Sequence, residues 1–326
     1  MIVLSVLVPI VCSGFYKLCL RVCAQARLRL HNFYRSKKMY NNFVHVFLLV
    51  FKERLNVSYR RFVQLASEMG LQRMLGIKRI PHFTTLQKVL QRLPKVLLER
   101  MVRACRKLTN LTDIEAAVDG TGFSNSNPSH YYAKRVDGVH VKNFTKSVLL
   151  ADLGSKLVLN IRTRSEHGHE TLSFIPLIRE VKNALKSVLA DKAYDSTANR
   201  EYCWMNNIEN HIPVREWKNA RTGYGHKHNI HGKFRRRAAR LFDACKYKRR
   251  TLIESINSAI KRPFGAYVCS RRHDNQCKQT TIKVLAYNFE LITRTIKIWL
   301  FIIQNTILQS QNLVNNYMQV KTSFLS

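Results

Sequence analysis

Hydrophobic periodicity changes once along the chain, near Leu111, and that change requires a helical region followed by a sheet-bearing one. From Met39 to Leu108 the apolar residues recur at helical spacing, with Phe43, Val46, Phe47 and Val50 in one segment and Phe62, Leu65, Ala66 and Met69 in the next. Gly70 closes a helix. Farther on, Thr84-Thr85-Leu86-Gln87 has the form of a capping box, with Thr84 as N-cap and Gln87 at the third helical position. Two short helices, a turn and a capped helix fit a helix-turn-helix, although any three-helix bundle gives the same pattern. Beyond Leu111 short apolar runs take over, at Ile114 to Val118, Ser147 to Ala151, Leu157 to Arg162, Ser187 to Ala190 and Asn210 to Val214. A helical stretch from Glu170 to Asn183 interrupts them, and helices resume near Arg235. This order predicts an α/β domain with a mixed sheet flanked by helices. The expected division is an apolar and basic segment over 1–38, a helical domain over 39–110, a sheet-bearing domain over 111–295, and a C-terminal helix and tail over 296–326.

The 326 residues suffice for about two domains. With 46% apolar and 23% charged residues the chain has ordinary globular usage, which excludes collagen-like, coiled-coil and wholly disordered classes. The charge balance is far from ordinary. Lys and Arg number 55 against 20 Asp and Glu, a formal net charge of +35, and a polyanion is the simplest partner that neutralises it. The eight cysteines form no CxxC pair, which fits a reducing interior and argues against a zinc ribbon or a disulfide framework. The apolar run Met1 to Cys12 lacks the charged flank and cleavage site of a signal peptide. It is also too short to span a bilayer, so a helix packed on the body, or a translation start placed too early, is expected, and no membrane partner. The apolar stretch Ile296 to Leu308 reads as a buried helix.

Asp119 and Asp191 each follow an apolar run, Ala116-Ala117-Val118 and Val188-Leu189-Ala190, and the carboxyl ends of strands are where ligands and catalytic groups gather in open α/β sheets. Two carboxylates brought together there repel unless a cation lies between them, and Mg²⁺ is the natural one. An Asp at a strand end also serves as a turn former or cap. More specific is the set Tyr247, Arg250, Glu254 and Lys261, spaced 3, 4 and 7 residues apart. On a helix these four fall within about 60° of one face. Arg250 lies one turn before Glu254 and can orient it, while Lys261 lies two turns beyond and can meet phosphate. Between Arg215 and Arg250 stand thirteen Lys and Arg and only two acids, Glu216 and Asp243, with Trp217, Tyr224 and Phe234 interleaved, as in a groove that holds a nucleic-acid strand. Arg235, Arg236 and Arg237 are its densest part. Basic residues on the earlier helices (Arg60, Arg61, Arg73, Lys78, Arg79, Lys88 and Arg92) also favour DNA, and Gln87, Lys88 and Gln91 on the helix after Thr84 are the candidate base readers. His226, His228 and His231 lie among cations with no Cys or carboxylate to complete a zinc shell.

The pattern Tyr-(2)-Arg-(3)-Glu-(6)-Lys at Tyr247, Arg250, Glu254 and Lys261 resembles the signature of DDE transposases of bacterial and archaeal insertion sequences. VDGTGFSNS around Asp119 and LADKAYDS around Asp191 resemble the family's first two catalytic blocks, and SYRRFV and LGIKRIPHFTTL resemble the helical region ahead of them. Ala193 stands where the family commonly has Gly. The resemblance covers about Tyr34 to Phe289. It implies an RNase H-like fold and metal-dependent phosphoryl transfer on double-stranded DNA, both transposon ends and target. Asp119, Asp191 and Glu254 would hold two Mg²⁺ or Mn²⁺ ions. Arg250 and Lys261 would sit on phosphates, with Tyr247 packed beside the site or on the strand. Asp137, Asp152 and Asp195 are the rival carboxylates. A homodimer on DNA, in the cytoplasm of a prokaryote and associated with the nucleoid, completes the expectation. A transposase-derived DNA-binding protein without catalysis, and a structure-selective nuclease of the same fold, are the alternatives.

Overall fold

The computed structural model describes residues 2–32, 39–125, 144–164, 169–215 and 232–296. Six helices come first: α1 (Ile2–Gln25), α2 (Asn42–Leu55), α3 (Tyr59–Glu68), α4 (Leu71–Leu75), α5 (Phe83–Arg92) and α6 (Lys95–Thr109). Strands β1 (Ile114–Ser124), β2 (Phe144–Asp152) and β3 (Val158–Arg164) lead to α7 (Thr171–Arg179), β4 (Leu185–Ala190), α8 (Thr197–Met205) and β5 (Glu209–His211). Helices α9 (Lys233–Arg240), α10 (Ala244–Lys248), α11 (Leu252–Phe264) and α12 (residues 273–296) complete the described chain.

The sheet order is β3-β2-β1-β4-β5. β2 runs antiparallel to both β1 and β3, while β4 is parallel to β1 and β5 to β4. Each parallel pairing needs a crossover, and α7 and α8 supply them. This is the RNase H-like arrangement, so the expected fold class is met. A tight turn joins β2 to β3, where the Asp152 carboxylate accepts from the Ser155 N–H at 2.7 Å and the Gly154 N–H at 3.3 Å. β3 is an edge strand, and Asn288 of α12 blunts it. The Asn288 side chain accepts from the Val158 N–H at 3.0 Å and donates to the Val158 carbonyl at 2.8 Å, so this backbone does not present an open edge.

Helix α2 is the hub of the helical region. Asn41 caps it by accepting from the Val44 N–H at 2.8 Å, and Val44 to Glu53 are all buried, so this helix is surrounded on every side. Phe15 of α1 lies edge-on to Phe47 and Phe51 of α2 and to Phe289 of α12, with ring centroids 5.3 to 6.2 Å apart. Burying each such ring contributes roughly 1.5 to 3 kcal/mol. Helix α6 packs on β3 and α1 on α6, and the buried apolar residues form one cluster from Phe15 to Ile292. The helical region and the sheet therefore share a core. From Phe15 onward helix α1 packs on the body, while the side chains of the Met1 to Cys12 run lie outside the described ones, and no helix among the described residues is long and apolar enough to cross a membrane.

Two local expectations are corrected. The Thr84 capping box does not form: α5 starts two residues earlier than it implies, at Phe83, with His82 in the cap position, and the Thr84 hydroxyl meets His82 Nδ1 at 2.8 Å instead of a backbone N–H. β1 does not end before Asp119. Gly120 and Gly122 continue its pairing with β2, opposite Val148 and Lys146, so the strand runs on through Asp119 to Ser124. Trp217, Tyr224, Glu216, His226, His228, His231 and Asp137 lie outside the described residues, as does the stretch beyond Ile296.

Candidate active site

The register of the parallel pair β1 and β4 ends at Val118 opposite Ala190, so Asp119 and Asp191 are the next residues on adjacent strands. β4 stops there and β1 continues, which leaves one side of β1 open beside Asp119. Asp191 turns out of the sheet as the cap of a single 3-10 turn, its carboxylate accepting from the Lys192 N–H at 2.6 Å. Ala193 lies within that turn at ordinary negative φ, so the missing glycine costs no strain.

Glu254 comes from the first turn of α11. The expected single helix carrying Tyr247, Arg250, Glu254 and Lys261 is interrupted: Tyr247 belongs to α10, Arg250 to a 3-10 turn over Arg249–Thr251, and Glu254 and Lys261 to α11. The tightened turn keeps the i,i+4 neighbours in contact. Arg250 donates to Glu254 at 2.9 Å and stands 3.7 Å from Asp119, and its guanidinium lies 6.0 Å from the centre of the Tyr247 ring. Burial works to lower its pKa, but Tyr247, Asp119, Glu254 and Asp191 together hold it above the ordinary value. All three carboxylates named in the sequence thus act on one guanidinium. Lys261 lies farther along α11, its ammonium 5.5 Å from the centre of the Phe123 ring, with its pKa lowered by burial and partly restored by Asp119.

Asp119 bears the strain of the arrangement. Its pKa is raised to about 6, first by burial and then by Glu170 and Glu254, against the opposing effect of Arg250 and the Gly120 N–H. Three neighbours of Asp119 carry no local signal in the sequence. Asn257, one turn after Glu254, donates to the Asp119 carboxylate at 2.9 Å and fixes its orientation. Glu170 lies against Gly120, where a Cβ would fall 2.5 Å from its carboxylate, and is held by Lys146 at 2.7 Å and the Tyr194 hydroxyl at 2.9 Å. The glycine is needed there for close approach rather than for its torsion angles. Only the folded chain brings Glu170, Tyr194 and Asn257 here, since each lies far from Asp119 in sequence.

Two of the rivals, Asp152 and Asp195, are placed elsewhere. Asp152 forms the β2–β3 turn. Asp195 is fully buried in an ion-pair network, with Arg200 at 2.8 Å, Arg235 at 2.7 Å and the Arg215 N–H at 2.8 Å. Burial would raise its pKa, but these hydrogen bonds outweigh it and hold the carboxyl below the usual range. Arg235 is consequently turned inward, contrary to the expectation of three equivalent DNA contacts, whereas Arg236 and Arg237 on the same helix are exposed. Gln87, Lys88 and Gln91 share one exposed face of α5.

Asp119, Asp191 and Glu254 offer only hard oxygen donors, and burial, with a smaller contribution from Glu170 and Glu254, disfavours the charged form of Asp119, a cost that a bound divalent cation would offset, so these residues fit Mg²⁺ or Mn²⁺. Among the described residues no three potential ligands are drawn together closely enough to form a closed metal shell. Arg250 is the cation between Asp119 and Glu254 in this structure.

A family model described as a transposase DDE domain matches residues 111–289. No protein of curated function matches the chain. Among solved structures, a piggyBac transposase synaptic complex with hairpin DNA is similar over 88% of this chain and 75% of that one, at 11% identity and a TM-score of 0.47. A pre-cleavage Mos1 transpososome is similar over 81% of each chain, at 12% identity and a TM-score of 0.21. Those two likenesses are too low to carry weight beside the family match, which spans the whole sheet, the Arg250 turn and most of α12. The chain belongs to the DDE transposase family.

Proposed function

We propose that the protein is an insertion-sequence transposase that binds terminal inverted repeats, cleaves at the element ends and joins the resulting 3′-hydroxyls to target DNA. The observation that carries this reading is the convergence of Asp119, Asp191 and Glu254 on Arg250 within the family-matched region. In this reading the three carboxylates hold two Mg²⁺ or Mn²⁺ ions, which when bound supply activation of the attacking oxygen and stabilisation of the leaving one in an in-line displacement. Asn257 fixes the Asp119 carboxylate. Arg250 keeps Glu254 oriented and is displaced toward, or shared with, a DNA phosphate when the carboxylates are neutralised. Lys261 meets phosphate beside Phe123, and Tyr247 flanks the strand. Gln87, Lys88 and Gln91 read base edges from α5, while Arg236 and Arg237 hold backbone. The protein works as a homodimer on double-stranded DNA, in the cytoplasm of a prokaryote and on its nucleoid.

A transposase-derived binding protein without catalysis is disfavoured because all three carboxylates are present. Strand joining tests the reading: supplied with pre-cut ends, a target plasmid and Mg²⁺, the full-length protein should insert the ends. Cleavage without joining would assign it to the nucleases of this fold instead. Binding without either reaction would make it the inactive derivative.

A further inference from the structure

Away from the carboxylates, a groove of about 760 Å³ runs between the helical region and the segment that follows α11. Its floor is charged. Glu53 of α2 is buried with Lys52 at 2.7 Å, Lys283 at 3.4 Å and the Gln279 amide at 3.1 Å, so two ammonium groups share one carboxylate. The excess charge is only partly spread: Lys283 also donates to the Phe264 and Gly265 carbonyls at the end of α11, and the two ammoniums lie 4.8 and 5.6 Å from the ring centres of Tyr59 and Tyr267. The rim adds three exposed guanidiniums, Arg60 from α3 and Arg271 and Arg272 from the loop before α12. The Arg60 guanidinium lies 5.0 Å from the centre of the Phe83 ring, which holds the charged head at the groove wall, while the residue as a whole is exposed.

An ordinary basic surface spreads its cations over solvent. Here they gather around a concavity with a buried cationic floor, where unpaired charge is costly. The groove is too large for one small anion. One wall is the exposed face of α5, where Gln87 and Gln91 stand a helical turn apart and present amides of the kind that reach base edges. The other wall is continuous with the catalytic strand: at Ser124, the last residue of β1, the carbonyl accepts from the Val268 N–H at 2.8 Å and the N–H donates to the Ala266 carbonyl at 3.0 Å.

We propose that this groove is a DNA-backbone track, in which Arg60, Arg271 and Arg272 grip the phosphates of the same duplex whose base edges α5 reads. The inference rests on the transposase reading above and adds a joint site: α3 and α5 supply one bank, and the loop after the Glu254 helix supplies the other. End recognition and catalysis are thereby tied to one DNA path, because the floor joins α2 to the end of α11 through Glu53 and Lys283.

The test uses the full-length protein in metal-free buffer, with binding isotherms on duplex DNA carrying the inverted repeat measured across a salt series. The three arginines are exposed, so Arg60→Ala, Arg271→Ala and Arg272→Ala together should leave the melting curve unchanged. Each phosphate no longer neutralised should lower the slope of log K against log salt by about 0.9, nearly 3 for the triple variant, with affinity at physiological salt down at least about tenfold. An unchanged slope and affinity would overturn the proposal. So would unchanged DNA binding in a triple variant that no longer binds poly-glutamate, which would assign the groove to an acidic protein segment. If the wild-type protein bound no DNA at all, the transposase reading itself would fail, a result distinct from failure of the triple variant alone.

Discussion

Asp119 and Asp195 show how one residue type is given opposite tasks by its surroundings. Asp119 has a folded pKa of about 6 against an ordinary carboxyl value of 3.8. An acid whose pKa is raised by folding stabilises the fold while protonated, so its contribution is full below about pH 4 and is lost as pH rises through about 6. Above that the metal-free protein carries a penalty of about 3 kcal/mol. Asp119→Asn should therefore raise the urea midpoint of the metal-free protein at pH 8 and leave it nearly unchanged at pH 4, and equal shifts at both would show that the carboxylate is not strained. For Asp195 the sign is reversed. Its stabilisation is present above about pH 4 and is lost as pH falls through its depressed value. Because Arg200 and Arg235 would be left buried without their carboxylate, Asp195→Asn should cost about 3 to 5 kcal/mol in thermal or urea unfolding. Asp191→Asn, which removes little more than a turn cap, should cost less than about 2 kcal/mol. Similar losses at the two positions would contradict this division. In the sequence Asp191 takes preference over Asp195 because it directly follows the apolar run, but the task of Asp195 is not legible there, since the ion pairs that define it come from residues up to 40 positions away.

At the scale of elements, strand and helix types follow from periodicity, because burial on one face writes itself into apolar spacing. Their limits do not. β1 outruns its apolar stretch because Gly120 and Gly122 pair with β2 without adding any apolar signal. Helix α5 begins before Thr84 because a histidine ring takes the hydroxyl expected to cap it. The stripe from Tyr247 to Lys261 is legible as spacing, yet the tightened turn that divides it is not, and Glu170, packed on Gly120 across the sheet, has no local mark. Helix α9 carries the same lesson for charge. Arg235, Arg236 and Arg237 are equivalent in sequence, but only the last two face solvent. Arg236→Ala with Arg237→Ala should lower the salt slope of DNA binding by about 0.9 for each phosphate released, with stability unchanged. Arg235→Ala should instead lower the melting temperature, and a slope that fell equally for Arg235 alone would mean that its pairing with Asp195 opens in the complex.

For the whole molecule, the shared core decides which experiments can divide its labour. Helix α6 covers β3, and α1, α2 and α12 meet around Phe15, so removing residues 1–110 would uncover a large apolar face, and such a fragment should aggregate. Recognition is better separated by surface changes. Gln87→Ala, Lys88→Ala and Gln91→Ala together should remove the preference for inverted repeats over random duplex, a difference of about 1 to 3 kcal/mol for each base no longer read, while non-specific binding persists. An unaltered preference in competition binding would assign the helical region to assembly rather than reading. The central claim concerns the three carboxylates, and Mg²⁺-dependent cleavage of an inverted-repeat substrate, measured beside DNA binding for Asp119→Asn, Asp191→Asn and Glu254→Gln, tests it most directly. Each variant should bind DNA like the wild type and cleave at least about a hundredfold more slowly, as expected from several kcal/mol of forfeited transition-state stabilisation. A variant that bound normally and cleaved at the wild-type rate would remove its residue from the site and contradict the account.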